Sequence, residues 1–524
     1  MIWVNNMNKK DIGEYYTPDD LVKNMVYSIK NELNNSEILE PSAGDGRFIK
    51  YLIKFKVKRI DSIELFNEKC DYIKKKYDKS NVKVVNKDFL EYAISTNKKY
   101  DIIIGNPPYI RKTKILREQL KNSNKLIEIL DCKNIKIENM WVSFILGALN
   151  LLKKDGIIFF VLPFEFLQVN YSEELRVFLE KKFNKIEITV FNKKVFPDIE
   201  QDVCLLYMTN DLKFDKEYIK YKIVESEKNI NKIMYQSKIM KNKPLRKWTN
   251  SIISDKETEM LKKTINKFSR INEFGNISPG IVTGNNNYFI KSEEFIKLTK
   301  AASLPIISKS VLIGNKLLFE KKDFNKLIKE KKAVFLLTLI NSESLVSDSL
   351  KKYIKIGEEK KYHKSYKCST HKPWYNVPII EKGDLLFFKR YHILPRIVIN
   401  NANVYTTDIS YNIRLNEKYE KCSFAFCFYN SLTLTMCEYY GRFYGGGVCE
   451  LIPSEFKSLP IPYTLIDSKN IKKLDYMIKN DFNVEEITNF VDALVLREVL
   501  SDVEIANLHI IRNRLISRRI KQYE

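Results

Sequence analysis

The sequence predicts an α/β fold around a doubly wound, mostly parallel sheet, and three observations carry that expectation. Short apolar runs alternate with helical patterns through the first third of the chain. Four successive runs end in polar groups, as at the edge where open α/β sheets bind ligands. The stretch Asp101-Ile-Ile-Ile-Gly-Asn-Pro-Pro-Tyr109 places three isoleucines, suited to a strand covered on both faces, before two prolines that forbid helix.

In chain order, the first element is a helix. Thr17 is expected to cap it, Pro18 to hold its first position, and Asp19 and Asp20 to favour the positive end of its dipole. Val22, Met25, Val26 and Ile29 recur on one face. Residues 36–48 read as a strand, a glycine loop and a helix start, with Gly44 and Gly46 permitting a tight turn and close ligand approach. The loop lacks a third glycine at dinucleotide spacing, and Glu40 and Asp45 would repel pyrophosphate. Such an acidic rim suits a cationic ligand, such as the amino and sulfonium groups of S-adenosylmethionine. Residues 59–64 form a second strand ending in Glu64, about 20 residues past the loop, where doubly wound folds place an acid for ribose hydroxyls. The third strand, residues 82–89, ends in Asp88, an acceptor for an adenine amino group, and Phe89, a ring partner. The fourth ends at Asn106.

Trp141, Phe144, Ile145, Ala148, Leu149 and Leu152 then stripe a helix closed by Lys154-Asp-Gly156, and residues 157–162 are the fifth strand. Ile186, Ile188 and Val190 alternate, as do Val203, Leu205 and Tyr207, giving a final strand pair joined through the segment that carries Phe196. Placed beside Pro197 in a connection, Phe196 is expected to be exposed.

The tetrapeptide Asn106-Pro107-Pro108-Tyr109 has chemistry of its own. The Asn106 side-chain oxygen and the Pro107 carbonyl are both acceptors and can take the two hydrogens of an exocyclic amino group. Tyr109 can lie flat against the ring that bears it. Five motifs in order resemble the amino-methyltransferases acting on DNA adenine N6, in the Taq I-like group whose cofactor motifs precede the catalytic one and whose recognition domain follows. They are Gly13-Glu-Tyr-Tyr-Thr-Pro18, Glu40-Pro-Ser-Ala-Gly-Asp-Gly46, Glu64, Asp88-Phe89 and Asn106-Pro-Pro-Tyr109, and the match continues to Asn192-Lys-Lys-Val-Phe-Pro197. The resemblance implies a Rossmann-like S-adenosylmethionine-dependent methyltransferase domain. It places Tyr16, Thr17, Glu40, Pro41, Ser42, Ala43, Gly44, Gly46, Glu64, Asp88, Phe89, Asn106 and Pro108 around the cofactor. Asn106, Pro107, Tyr109 and Phe196 become the catalytic set, the two aromatics packing on an extruded base.

At 524 residues the chain has room for two or three domains. The expected division is a methyltransferase domain over 1–215, a charged linker over 216–249, a mixed α/β target-recognition domain over 250–467 and a helical C-terminal segment over 468–524. In the last, Val484, Ile487, Val491, Leu494 and Val495, then Ile505, Leu508, Ile511 and Leu515, recur at helical spacing. A net charge of +24 and a pI near 9.3 make a polyanion the expected partner. Between Lys351 and Lys372 eight lysines interleave with Tyr353, Tyr362 and Tyr366, and Trp374 follows, as a surface that tracks phosphates and touches bases requires. Lys361, Lys364, Lys367, Trp374 and Tyr375 are its candidate contacts. Arg442, in a glycine-rich stretch over 441–447, and Arg111 and Lys112, just past the tetrapeptide, join them.

Double-stranded DNA with the target base rotated out is therefore the expected partner, with a separate cognate restriction endonuclease in the same system. A monomer in the cytoplasm of a prokaryotic cell, associated with the nucleoid, completes the expectation. No apolar run reaches membrane length, and the N-terminus lacks a signal peptide's apolar core. The motifs open by residue 13, which leaves no room ahead for a fused nuclease. The eight cysteines and four histidines lack ligand spacing, so no metal is expected. No cysteine lies near the tetrapeptide, which argues against the thiolate route to cytosine C5. Cytosine N4 and RNA bases stay open as targets, as does a non-catalytic DNA-binding subunit.

Overall fold

The computed structural model describes residues 16–196, 202–211, 218–241, 247–339, 348–443 and 447–520. The chain divides into two compact units. One runs from the N-terminus through Thr258 and is rejoined by the residues from Ser517 onward; the other comprises Glu259–Phe443 and Gly447–Ile516.

Among the described residues, the first unit forms a nine-stranded sheet in the order β3-β2-β1-β4-β5-β7-β6-β8-β9. Its elements are α1 (Asp19–Ser28), β1 (Glu37–Glu40), α2 (Arg47–Leu52), β2 (Arg59–Glu64), α3 (Asn67–Lys76), β3 (Val82–Asn86), α4 (Phe89–Ser95) and β4 (Tyr100–Gly105). There follow α5 (Arg117–Ile129), α6 (Met140–Leu151), β5 (Leu152–Pro163), α7 (Glu173–Lys182), β6 (Lys185–Phe191), β7 (Val203–Thr209), β8 (Tyr218–Val224) and β9 (Ile233–Met240). Strands β3 to β5 are parallel, and β7 runs antiparallel between β5 and β6. The strand order turns back at β1, with β2 on one side and β4 on the other, which is the switch point where such sheets open a ligand crevice. This is the Rossmann-like α/β architecture that the sequence predicts.

Burial explains the apolar runs. Ile103 and Ile104 are wholly covered and Ile102 nearly so, as expected of a central parallel strand. Leu21, Val22, Met25 and Val26 of α1 pack with Ile38, Ile102 and Ile104 in one core cluster. Asp61 of β2 is fully buried, and its charge is met by Arg59 Nε at 2.6 Å, Lys98 Nζ at 3.1 Å and the Tyr100 hydroxyl at 2.7 Å.

Three details depart from expectation. Pro18, not Thr17, precedes the first helical turn, and no side chain caps α1. The Thr17 carbonyl instead accepts from the Arg47 guanidinium at 2.6 Å. Strand β5 starts at Leu152, directly after α6, so Lys154-Asp-Gly156 lies within the strand rather than closing the helix. The segment read as a charged linker contains β8 and β9, which lengthen the sheet. Ile219 and Tyr221 are buried and alternate with Lys220 and Lys222, a period-2 pattern that the high charge obscures.

The second unit, among the described residues, holds a five-stranded sheet in the order Gly275–Pro279, Ser410–Leu415, Leu385–Phe388, Arg396–Asn400, Leu318–Phe319. Helices Ser468–Lys479, Val484–Val495 and Asp502–Ser517 follow the spacing read from the sequence, with Ile487, Val491, Ile505, Leu508, Ile511 and Leu515 buried and Leu494 exposed. Among the described residues no helix is long and apolar enough to cross a membrane, and no group of three or more His, Cys, Asp or Glu is placed to hold a metal ion.

Candidate functional site

Two loops meet at the carboxyl edge of β1 and β4. These strands pair through Ile38 with Ile102 and Leu39 with Ile103, so the chain leaves both at the same place. Ser42 Oγ donates to the Asn106 carbonyl at 2.9 Å, across 64 residues of sequence. A Cβ on Gly105 would lie 3.2 Å from Pro41 Cδ, so only glycine allows this approach without a shift. Pro107 is buried, while Asn106, Pro108 and Tyr109 are half-buried. The Tyr109 hydroxyl donates to the Val161 carbonyl of β5 at 3.2 Å, which fixes the ring. Burial pushes this phenol well above its ordinary pKa, so it remains a donor.

The glycine loop is braced from β2. Ala43 N donates to the Ile63 carbonyl at 2.9 Å, and Gly44 N to Glu64 Oε2 at 2.8 Å. The other Glu64 oxygen accepts from Phe66 N at 3.0 Å. Gly46 has φ of +77°, and a Cβ there would stand 2.7 Å from the Tyr77 ring. Glu40 is wholly buried: Ser62 Oγ donates to its Oε2 at 3.1 Å, and among the described residues its Oε1 has no hydrogen-bond partner. Burial raises the Glu40 pKa well above the carboxylate range against the pull of Ser62, and the neighbouring Asp45 and Glu64 charges add to the rise. Tyr16 leans over the loop, 3.6 Å from the place a Cβ on Gly44 would take, with the Arg47 guanidinium 5.3 Å from its ring centre.

This constellation fits S-adenosyl-L-methionine. A backbone cradle at the sheet's switch point is ringed by Glu40, Asp45 and Glu64, and one buried carboxyl oxygen awaits a donor. Such groups suit a ligand that carries an ammonium and a sulfonium.

Several of the expected residues also have partners within the protein. Asp88 Oδ1 caps α4, accepting from Leu90 N at 2.9 Å and Glu91 N at 3.2 Å, while Oδ2 accepts from Gln119 Nε2 at 2.8 Å. Gln119 was missed in the sequence. Its oxygen accepts from Leu116 N at 3.2 Å, and only this third-position glutamine at a helix start offered a signal. Phe89 is buried, with its ring 4.7 Å from that of Phe144 and against Gly147, so the expected stacking surface is taken up by the α4–α6 contact. Phe196, expected to be exposed, is only 5% so and lies in the apolar cluster against which Tyr109 packs. A connection near a sheet edge can still turn an aromatic inward when a hydrophobic floor is beneath it. Pro197 lies outside the described residues, as do 13–15 of the opening motif and 444–446 of the glycine-rich stretch.

The polyanion candidates also divide. Arg111, Lys112, Lys114 and Arg117 are exposed just past the tetrapeptide, held there by Met140 N on the Ile110 carbonyl at 2.8 Å, with Lys112 paired to Glu138 at 3.0 Å. In the second unit all eight lysines between 351 and 372, Lys361, Lys364 and Lys367 among them, are exposed. Trp374, by contrast, packs 5.5 Å from the ring of buried Tyr288, and Tyr375 is half-buried beside it. Arg442 pairs with Glu455 at 3.2 Å and is largely covered. Trp374 and Arg442 are therefore partly covered, each with a partner inside the unit.

Residues 27–196 match the family model of the Eco57I restriction-modification methylase, and residues 245–496 that of the Type II methyltransferase M.Eco57I, C-terminal domain. The chain is 25% identical over 530 residues to the Type II methyltransferase M.AccI of Acinetobacter calcoaceticus, covering 93% of this chain and 94% of that protein. It is 30% identical over 234 residues to M.HincII of Haemophilus influenzae, covering 44% of this chain but only 41% of its relative. The solved structure of the Type IIL restriction-modification enzyme MmeI in complex with DNA aligns over 95% of this chain and 75% of that one, at a TM-score of 0.60 and 14% identity, a likeness of fold. The paired loops and these matches together make the chain a member of the Type II restriction-modification DNA methyltransferase family, whose enzymes use S-adenosyl-L-methionine.

Proposed function

We propose that the protein methylates N6 of adenine at a specific site in double-stranded DNA, with the target base rotated into the corner formed by Asn106, Pro107 and Tyr109. The observation that carries this reading is the Ser42–Asn106 hydrogen bond, which holds the tetrapeptide against the glycine loop. Adenine N6 is a poor nucleophile because its lone pair is delocalised into the ring. Asn106 Oδ1 and the Pro107 carbonyl accept its two hydrogens, favouring a pyramidal nitrogen with a localised lone pair. When bound, S-adenosyl-L-methionine supplies the electrophilic methyl group. Tyr109, held by Val161, offers its ring to the extruded base, worth about 1–3 kcal/mol against the cost of unstacking. Phe196 belongs to the apolar cluster against which Tyr109 packs. Arg111 and Lys112 beside the corner, with the exposed lysines of the second unit, meet phosphates and set the register on the duplex. A cognate endonuclease on a separate chain completes the system, and the methyltransferase acts as a monomer.

The test is methyl transfer from tritiated S-adenosyl-L-methionine to plasmid DNA, RNA or protein, followed by digestion and chromatography of the labelled nucleosides. N6-methyladenine in DNA is the expected product. N4-methylcytosine moves the target to cytosine, and label confined to RNA or protein overturns the proposal.

A further inference from the structure

Arg47 opens α2 directly after the glycine loop and touches both sides of the cofactor cradle. Its Nε donates to Asp45 Oδ2 at 2.7 Å, and its Nη1 donates to the Thr17 carbonyl at 2.6 Å. The guanidinium carbon lies 5.3 Å from the centre of the Tyr16 ring, and that ring in turn stands against Gly44. The charged group is thus fixed between the opening motif and the loop. Glu40 and Thr17 beside it are buried, but the Arg47 side chain is 34% exposed and Tyr16 39%. This pair is within reach of a ligand.

A guanidinium carries donors on all three nitrogens. Asp45 engages Nε and the Thr17 carbonyl engages Nη1, while among the described residues no hydrogen bond engages Nη2. Asp19 also feels the Arg47 charge, but its carboxylate is taken by Lys50 Nζ at 2.8 Å and by the Tyr51 hydroxyl. The other cation over Tyr16 is Lys69, with Nζ 5.8 Å from that ring centre and 4.8 Å from the centre of Phe66. An ammonium acts as a point charge. A guanidinium fork instead matches the two oxygens of a carboxylate, and the fork of Arg47 is already oriented by its other bonds.

We propose that Arg47 binds the carboxylate of S-adenosyl-L-methionine through Nη2, with Asp45 and the Thr17 carbonyl holding the guanidinium in place. Glu40, Asp45 and Glu64 suit the ammonium and the sulfonium of that ligand, but the same acids repel its carboxylate. Arg47 supplies the opposite charge beside the same loop. The inference rests on the cofactor and is independent of which base the protein methylates.

The test is calorimetric titration of the full chain with S-adenosyl-L-methionine and with its decarboxylated form, which differ only in the carboxylate. The unaltered protein binds the first more tightly, by about 10–100-fold, as one charge-assisted contact provides. Arg47→Met lowers affinity for S-adenosyl-L-methionine by the same factor and leaves the decarboxylated form unaffected, and Arg47→Lys recovers part of the loss. Lys69→Met changes both affinities alike. In the unaltered protein, S-adenosyl-L-methionine shields Arg47 from phenylglyoxal, mapped by mass spectrometry, and the decarboxylated form does not, a readout independent of whether the variants fold. Equal binding of the two forms, equal loss of both in Arg47→Met (the mark of a brace alone), or a carboxylate-selective loss in Lys69→Met overturns the proposal. Failure of the unaltered protein to bind either form removes the cofactor itself, and the proposal with it.

Discussion

At the carboxyl edge of β1 and β4, residues that are distant in sequence are brought together; along residues 351–374, residues that alternate in sequence are parted. In the first region Ser42 reaches Asn106 and Glu64 reaches Gly44. In the second, the lysines face outward while Tyr353 stacks on Tyr288 with ring centres 4.6 Å apart, and each of these tyrosines donates to the other's carbonyl. The difference lies in what each stretch dictates locally. Prolines and left-handed glycines specify a backbone shape wherever they occur. Lysines and aromatics at helical spacing specify only an amphipathic helix, and Asp348–Glu359 buries Leu350 and packs a partly covered Tyr353 on the unit's apolar cluster.

The comparison can be broken most severely at Asn106. Asn106→Ala is expected to lower methyl transfer about 10³-fold, by loss of an acceptor aimed at the reacting amino group, with cofactor affinity and melting temperature nearly unchanged. Calorimetry alongside a tritium-transfer assay reads both, and a matching loss of cofactor binding would contradict a purely chemical role. Trp374→Ala is the mirror case. Truncating this ring costs about 2–4 kcal/mol of stability in the second unit, read by urea denaturation, whereas a stable variant with lowered DNA affinity would make Trp374 a DNA contact. Gly46→Ala combines a left-handed backbone with a Cβ pressed on Tyr77, for a cost of about 1–3 kcal/mol and weakened cofactor binding. Glu40→Gln is a smaller change with a definite sign. The Glu40 carboxyl binds its proton more tightly folded than unfolded, so stability falls as pH rises above the ordinary carboxylate range toward the raised folded value. The variant flattens that slope in thermal melts across this window; an unchanged slope would remove Glu40 as its source. Tyr366, 78% exposed on the same run as Trp374, sets the lower limit: Tyr366→Ala shifts stability by less than about 0.5 kcal/mol.

The architecture was legible because its signals are local and redundant. Ile102 to Ile104 could only be a covered strand, and Gly44 and Gly46 could only form a turn. The lengthening of the sheet was not, since Lys220 and Lys222 hide the alternation of Ile219 and Tyr221 beneath charge. At the site, the tetrapeptide and glycine loop declared themselves through backbone-restricting residues. The inward turn of Phe196, the Gln119 bond to Asp88 and the packing of Phe89 on Gly147 depend on neighbours supplied by other elements, and no spacing rule reaches those.

The bond between Ser42 and Asn106 has a consequence for how the enzyme comes into being. It closes only after β1 and β4 have found each other across the intervening α2, β2, α3, β3 and α4, a costly event for a growing or refolding chain. Helical signal should therefore recover before methyl-donor binding when the denatured protein is diluted into buffer, with competence arriving late and all at once.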